Sequence, residues 1–412
     1  MRISMRTLTA AGLGLVLGAA ACNDEALFPP PGQLADPLFA RYVSLGNSIT
    51  AGFQSGGINQ TTQSQSYAVL LADAMGTTFY APLMNLPGCP TLYTNVFTQT
   101  RVPGPACALR QTPAVPPPYI NNVAVPGAEV IDIYSNLDPA AGANALTTFF
   151  LGGLTQVGMM QRVAPTYVSI WIGNNDVLGA ATNSANGGDS TLVTPGATFN
   201  ARYDAMLDSV DAVSPQGGVL VGVANVTAIP FVSAGATYWA IKNGLVPGAP
   251  ALPDSFFVDN NCAPSGPVPG IPGARGDSVL VGFPYGGLLL ATATAGLRAE
   301  LSCADTIPQI IAPAEVIKLI TTVAQYNAHI ATAAQARGWA YVNPNTAFDS
   351  LRAVPGQVAP FPAFGAPCSV NPFGASFSCD GVHPSATAHR LVANKLREAI
   401  NAEYGTTIPA IP

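Results

Sequence analysis

Histidine is nearly absent from this chain: 412 residues hold three, beside 16 Lys plus Arg and 22 Asp plus Glu. So few imidazoles exclude a histidine-rich metal centre, and the cysteines are not spaced as close zinc-ligand pairs, so no metal or cofactor is implied. Charge is scarce too, at 9% of residues with a formal net charge of -6. Without a basic stripe there is nothing to neutralise a phosphate backbone, which removes nucleic acid as a partner. No internal repeat is present, so solenoids and propellers drop out. What the chain does have is 49% hydrophobic residues with 41 glycines and 38 prolines. That describes a large apolar core with long, irregular connections.

The first 21 residues open with Arg2 and Arg6 and then carry no charge up to Cys22. The run is too short to cross a bilayer as a finished helix and reads as a signal peptide, residues 1–21. It resembles a bacterial lipoprotein signal, in which cleavage before the cysteine leaves Cys22 N-terminal and lipid-modified; Ala19 stands where that family more usually has leucine. The resemblance implies export to the cell envelope and membrane association through a lipid anchor, with a soluble periplasmic or secreted form as the alternative. Residues 22–39 are polar and proline-containing, a tether. Six cysteines remain, an even number in an exported chain, which points to three disulfides. Sequence leaves their pairing open. The pairs nearest along the chain are Cys89–Cys107, Cys262–Cys303 and Cys368–Cys379, and each would staple a Gly/Pro-rich loop.

Beyond the tether, strand and helix patterns alternate. A strand is expected over 41–46, then a helix over 64–76 with Tyr67, Leu70, Leu71, Ala74 and Met75 on one face. Strands follow at 79–86 and within 119–130, the latter ending at Pro126-Gly127. A helix is expected at 143–162, a strand in "TYVSIWIGNNDVL", a helix near 197–211 and a strand in "GGVLVGVANV". Residues 231–306 break the rhythm and read as an insertion, either a lid or apolar substrate wall held by Cys262–Cys303 or a stabilising surface excursion far from the site. The pattern resumes with a helix at 308–337, a strand near 340–343, an irregular stretch to 382, a final helix at 385–401 and a tail, 403–412. This alternation predicts an α/β domain over 40–402 with a mostly parallel sheet covered on both faces. Such sheets carry their sites beyond the carboxyl ends of the strands.

One such end is "RYVSLGNSIT", where Gly46 closes a strand and Ser48 opens the next segment. A plain turn is one reading; a hydroxyl raised to meet a base is the other. The base is found by elimination. His329 and His389 lie within helical patterns and read as structural. His383 lies in "CDGVHPS", on a loop ahead of a helix that Ser385 can cap. Asp380, three residues earlier across Gly381, can hold the second ring nitrogen. An oxyanion needs donors already in place. Ser48 N–H, Gly127 N–H and the Asn175 amide are the candidates, and Asp176 is read as a cap or brace beside Asn174.

In this order, "GNSITAG", "NVAVPG", "GNND" and "DGVHP" resemble the four blocks of the GDSL, or SGNH, hydrolase superfamily of esterases and lipases. The resemblance covers about residues 40–402, excluding most of 231–306. It implies Ser48 as nucleophile, Gly127 and Asn175 as oxyanion donors, His383 as base and Asp380 as its orienting acid. It also implies a three-layer α/β/α sandwich around about five parallel strands. The activity implied is hydrolysis of a small-molecule, lipid or acylated-glycan ester through an acyl-enzyme. A carbohydrate O-acetylesterase, or an envelope binding protein on the same fold without turnover, is the alternative. Asn47 departs from the family, which most often has aspartate there.

Overall fold

Five consecutive residues, Tyr42–Gly46, are all buried, and a strand with no exposed face must lie inside a layered body. The computed structural model describes residues 34–112, 117–135, 145–247, 249–265 and 273–412. Its central sheet has four parallel strands: β1 (Tyr42–Gly46), β2 (Tyr167–Trp171), β3 (Gly217–Val221) and β4 (Ala340–Val342), in that spatial order. Tyr42 pairs with Tyr167, and Tyr167 with Gly217, so the strands start level. The helices that position the site are α1 (Ser48–Ala51), α2 (Tyr67–Met75), α3 (Asn175–Thr182), α4 (Gly196–Asp211), α5 (Pro313–Arg337), α6 (Pro344–Arg352) and α7 (Ala386–Tyr404).

The period of two along each strand divides the core. Val43, Leu45, Val168, Ile170 and Leu220 pack with side chains of α4 and α5. Tyr42, Tyr167, Trp171, Val219 and Val221 pack with those of α2 and α7. The result is an α/β/α layering.

Five strands were expected and four form. Residues 121–125 occupy the fifth place along β1, with Ser44 N–H donating to Asn121 O, Val123 N–H to Ser44 O and Val125 N–H to Gly46 O at 3.0–3.2 Å. They do not continue as a strand because Asn121 and Asn122 turn their amides onto backbone, reaching Tyr42 O at 2.9 Å and Thr50 O at 3.0 Å, and Pro126 ends the run. The strand expected at 79–86 is irregular for a similar reason. Gln63 stands in for a neighbouring strand, its amide donating to Pro82 O and accepting from Met84 N–H. The helix expected at 143–162 is two, Ala145–Leu151 and Gln156–Val163, parted by Gly152 and Gly153 at positive φ. The one expected from residue 64 begins at Tyr67, where the Ser66 hydroxyl accepts from Ala68 N–H. Helix α6 lies in the stretch expected to be irregular.

The insertion builds a core of its own. Val232–Ala234 pairs antiparallel with Leu280–Gly282, and Phe256–Val258 pairs parallel with Ala299–Leu301. Tyr238, Phe256, Val281 and Leu301 pack around Cys262 and Cys303, both fully buried. Disulfides join Cys262–Cys303, Cys89–Cys107 and Cys368–Cys379. The described chain is already part of the body at Ala35, whose N–H donates to Met75 O, and at its other end Asn401 holds Ile408 while Asn394 holds Ile411. The signal segment, Cys22 and the first part of the tether lie outside the described residues. Among those described, no helix is long and apolar enough to cross a membrane.

Candidate active site

The end of β1 is fixed by one buried amide. Gln156 accepts from Gly46 N–H at 2.9 Å and donates to Gly46 O at 2.8 Å. The chain then turns, the Asn47 side chain accepts from Ile49 N–H at 3.1 Å, and Ser48 begins α1. The amide at position 47 thus caps the turn through its oxygen, as a carboxylate could, while its Nδ2 is buried without a partner among the described residues.

His383 reaches this serine from the far end of the sequence. Its Nε2 lies 2.9 Å from Ser48 Oγ, and its Nδ1 lies 2.9 Å from Asp380 Oδ2. A carboxylate accepts only, so the ring proton sits on Nδ1 and Nε2 accepts from the serine hydroxyl. Gly381, between acid and base, adopts φ +69°; a Cβ there would also stand 2.9 Å from the Phe373 ring. Phe53 packs on the imidazole at 4.8 Å between ring centres.

Asp380 is the best-satisfied group in the site. Oδ1 accepts from Ser378 Oγ–H, Val382 N–H and His383 N–H, and Oδ2 accepts from Gly56 N–H besides the ring. Burial alone would push its carboxyl up. His383, by its charge and its two hydrogen bonds, and the Val382 N–H outweigh this and hold it well below the usual carboxylate range. Ser378 also accepts from Ser55 N–H at 2.9 Å, tying the acid's loop to residues 55–56. Sequence reasoning missed Phe53, Ser55, Gly56, Ser378 and Gln156. Only Ser378 carries a local signal, two residues ahead of the acid.

The three oxyanion candidates each sit at an element boundary or turn. Ser48 N–H opens α1, and Gly127 N–H sits on an exposed turn at φ +80°; neither has a partner among the described residues. Asn175, first residue of α3, donates one amide proton to Ala128 O at 2.8 Å, which joins α3 to the Gly127 turn and leaves the other proton to offer.

The other polar candidates fall elsewhere. Asp176 is fully buried and accepts from Val130 N–H at 3.0 Å, while the imidazole takes Asp380 as its carboxylate. Burial first, and Glu129 next, push its carboxyl up to about 7 against the pull of Val130 and Arg202. His389 is buried inside α7, where Nδ1 accepts from Tyr67 N–H, and burial pushes it down to about 3. His329 pairs with Asp204 across α5 and α4. Among the described residues no three His, Cys, Asp or Glu side chains gather as metal ligands.

No protein-family model and no curated protein matches the chain. Among solved structures it is similar to an acetylxylan esterase from Geobacillus stearothermophilus, at 12% identity and TM-score 0.37 over 87% of this chain and 93% of that one. It is likewise similar to an extracellular lipase from Streptomyces rimosus, at 15% identity and TM-score 0.36 over 87% and 98%. Likeness at this level leaves the chemistry to be argued from the site itself.

Proposed function

We propose that the protein is a serine-dependent carboxylic ester hydrolase of the SGNH type, working through an acyl-enzyme. The observation that carries this is the continuous Ser48–His383–Asp380 hydrogen-bond chain, each link 2.9 Å. His383 Nε2 takes the hydroxyl proton as Ser48 Oγ bonds to the ester carbonyl carbon. Ser48 N–H, Gly127 N–H and the Asn175 amide receive the charge that develops on the carbonyl oxygen. The carbon–oxygen bond to the alcohol then breaks, and the proton on Nε2 goes to the leaving oxygen. Water, deprotonated by His383, repeats the sequence and releases the acid. Asp380, kept ionised by its five donors, holds the ring and balances the imidazolium.

Acetylated glycans, the class named for the solved acetylxylan esterase, are the other ester the oxyanion donors admit, since those donors read only the carbonyl. The proposed setting is the cell envelope, with the domain of residues 40–402 tethered through a lipid on Cys22.

The chain from residue 23 onward should hydrolyse p-nitrophenyl acetate, and Ser48→Ala should lower kcat about ten-thousandfold or more. A fluorophosphonate should label the first protein and not the second. Equal rates in the two proteins would overturn the proposal.

A further inference from the structure

A cavity of about 380 Å³ lies beside the site, over the carboxyl ends of β2, β3 and β4, whose last residues Trp171, Val221 and Val342 form its floor. Its wall runs through the immediate neighbours of the site residues: Ile49 follows Ser48, and Val382 and Pro384 bracket His383. The size falls within the range of small-molecule sites.

The lining is apolar apart from Ser350, Ser376, Lys395 and the indole N–H of Trp171, which is buried without a partner among the described residues. Ser350 donates to Thr346 O, Ser376 to Gln357 Oε1 and Lys395 to Glu398, at 2.8–3.0 Å. Ordered water needs two to four polar partners, and the polar groups here are few and scattered, with the Lys395 side chain 56% exposed toward solvent. A sugar would bury hydroxyls without replacing their hydrogen bonds. Helix α6 roofs the cavity with Ala347, Phe348 and Leu351, yet none of its residues is buried. An amphipathic helix normally lays its apolar side on a core. Here that side is only half-buried and faces the cavity, with Phe348 meeting Phe377 at 5.3 Å between ring centres. The insertion contributes nothing to this lining, which comes mainly from α6, α7 and the loop around His383, while the insertion's first residue, Phe231, donates its N–H to Gly381 O at 2.9 Å.

We propose that this chamber takes the hydrocarbon chain of the substrate, which makes the preferred substrate a medium- or long-chain ester. The proposal rests on the ester-hydrolase reading above. The chain can belong to the acid or to the alcohol, and two substrate series separate these sources.

The mature full chain is assayed on p-nitrophenyl esters from acetate to dodecanoate, and on acetates of primary alcohols from ethyl to dodecyl. In one series kcat/KM should climb about fourfold per methylene until the chamber is full. Ala347→Trp, which narrows the chamber from α6, should cut the long-to-short ratio in that series by about tenfold. Both series flat in the unaltered protein, or an unchanged ratio in a folded Ala347→Trp variant, overturn the proposal. A readout free of turnover uses Ser48→Ala with 12-bromododecanoic acid, whose bromine should quench Trp171 fluorescence, a signal lost in Trp171→Phe. Absence of that quench also overturns the chamber. Quenching in a protein that hydrolyses no ester would overturn the hydrolase reading while leaving a hydrocarbon site.

Discussion

Asp380 and Asp176 are both enclosed, one beside the imidazole and one at the start of α3, and end in opposite electrostatic states. Asp380, its side chain 12% exposed, receives five hydrogen bonds, one of them from the imidazole, and is held well below the usual carboxylate range. Asp176 receives the Val130 N–H with Glu129 close by, and is pushed up to about 7. Burial is common to both, so it cannot decide the charge. The donor set does. A carboxylate that must balance an imidazolium needs the first environment. The second suits a brace, since Asp176 ties α3 to the residues just after the Gly127 turn.

The sharpest way to break this contrast is to remove each charge in turn. Asp380→Asn should lower kcat by roughly a thousand- to ten-thousandfold, because an amide can donate to Nδ1 and favour the wrong tautomer. Asp176→Asn keeps an acceptor for Val130 and should stay within about tenfold of the parent. Steady-state kinetics on one ester decides it; equal losses would make Asp176 part of the proton-handling machinery.

The contrast was only half legible in the sequence. Ser48, Gly127, Asn175 and "DGVHP" stood out because each joins a turn-former to a chemically able side chain at an element boundary. Asp380 was found by its spacing from His383. Its donors were not, since Gly56 lies 324 residues away and contributes a backbone N–H that any residue could supply. The four core strands were visible because strands buried on both faces leave continuous apolar runs. Residues 79–86 carried a similar run without pairing, since Pro82 and the Gln63 amide replaced a ladder. Helix α6 was hidden for the converse reason: its apolar face covers a cavity, and prolines at 344 and 355 made the stretch read as loop.

A smaller effect sharpens the same comparison through stability. Asp176 has its folded pKa raised to about 7, so its contribution is fully present below the unfolded value near 3.9 and is lost as pH rises through 7. His389, facing Tyr67 and near His383, has its folded pKa lowered to about 3. Its contribution is present above the unfolded value near 6.5 and lost as pH falls toward 3. Between about pH 4 and 6.5 the two slopes oppose, each about 1.4 kcal/mol per pH unit, and largely cancel. Asp176→Asn removes one of them, so its stability should climb with pH across this window relative to the parent. Urea unfolding at pH 4.5, 5.5 and 6.5 measures it. Parallel curves for the two proteins would mean that Asp176 is ionised in the folded state.

The smallest expected effect tests whether the donor set, rather than the histidine alone, keeps Asp380 ionised. Ser378 is the one donor to this carboxylate, besides His383's ring, that comes from a side chain, giving its proton to Oδ1 at 3.1 Å while accepting from Ser55 N–H. Ser378→Ala leaves the carboxylate four donors and takes the acceptor from Ser55. A hydrogen bond to a charged group is worth about 1.5–3 kcal/mol, but the remaining donors absorb part of the loss, so kcat should fall about tenfold with KM nearly unchanged. Packing alone could also slow the enzyme, since the site is 6% exposed and a void would loosen the loop. Ser378→Thr separates the two causes, because it keeps the hydroxyl while disturbing the packing by an added methyl. Recovery of most of the rate in the threonine variant would assign the loss to the missing donor; equal slowing in both variants would assign it to packing.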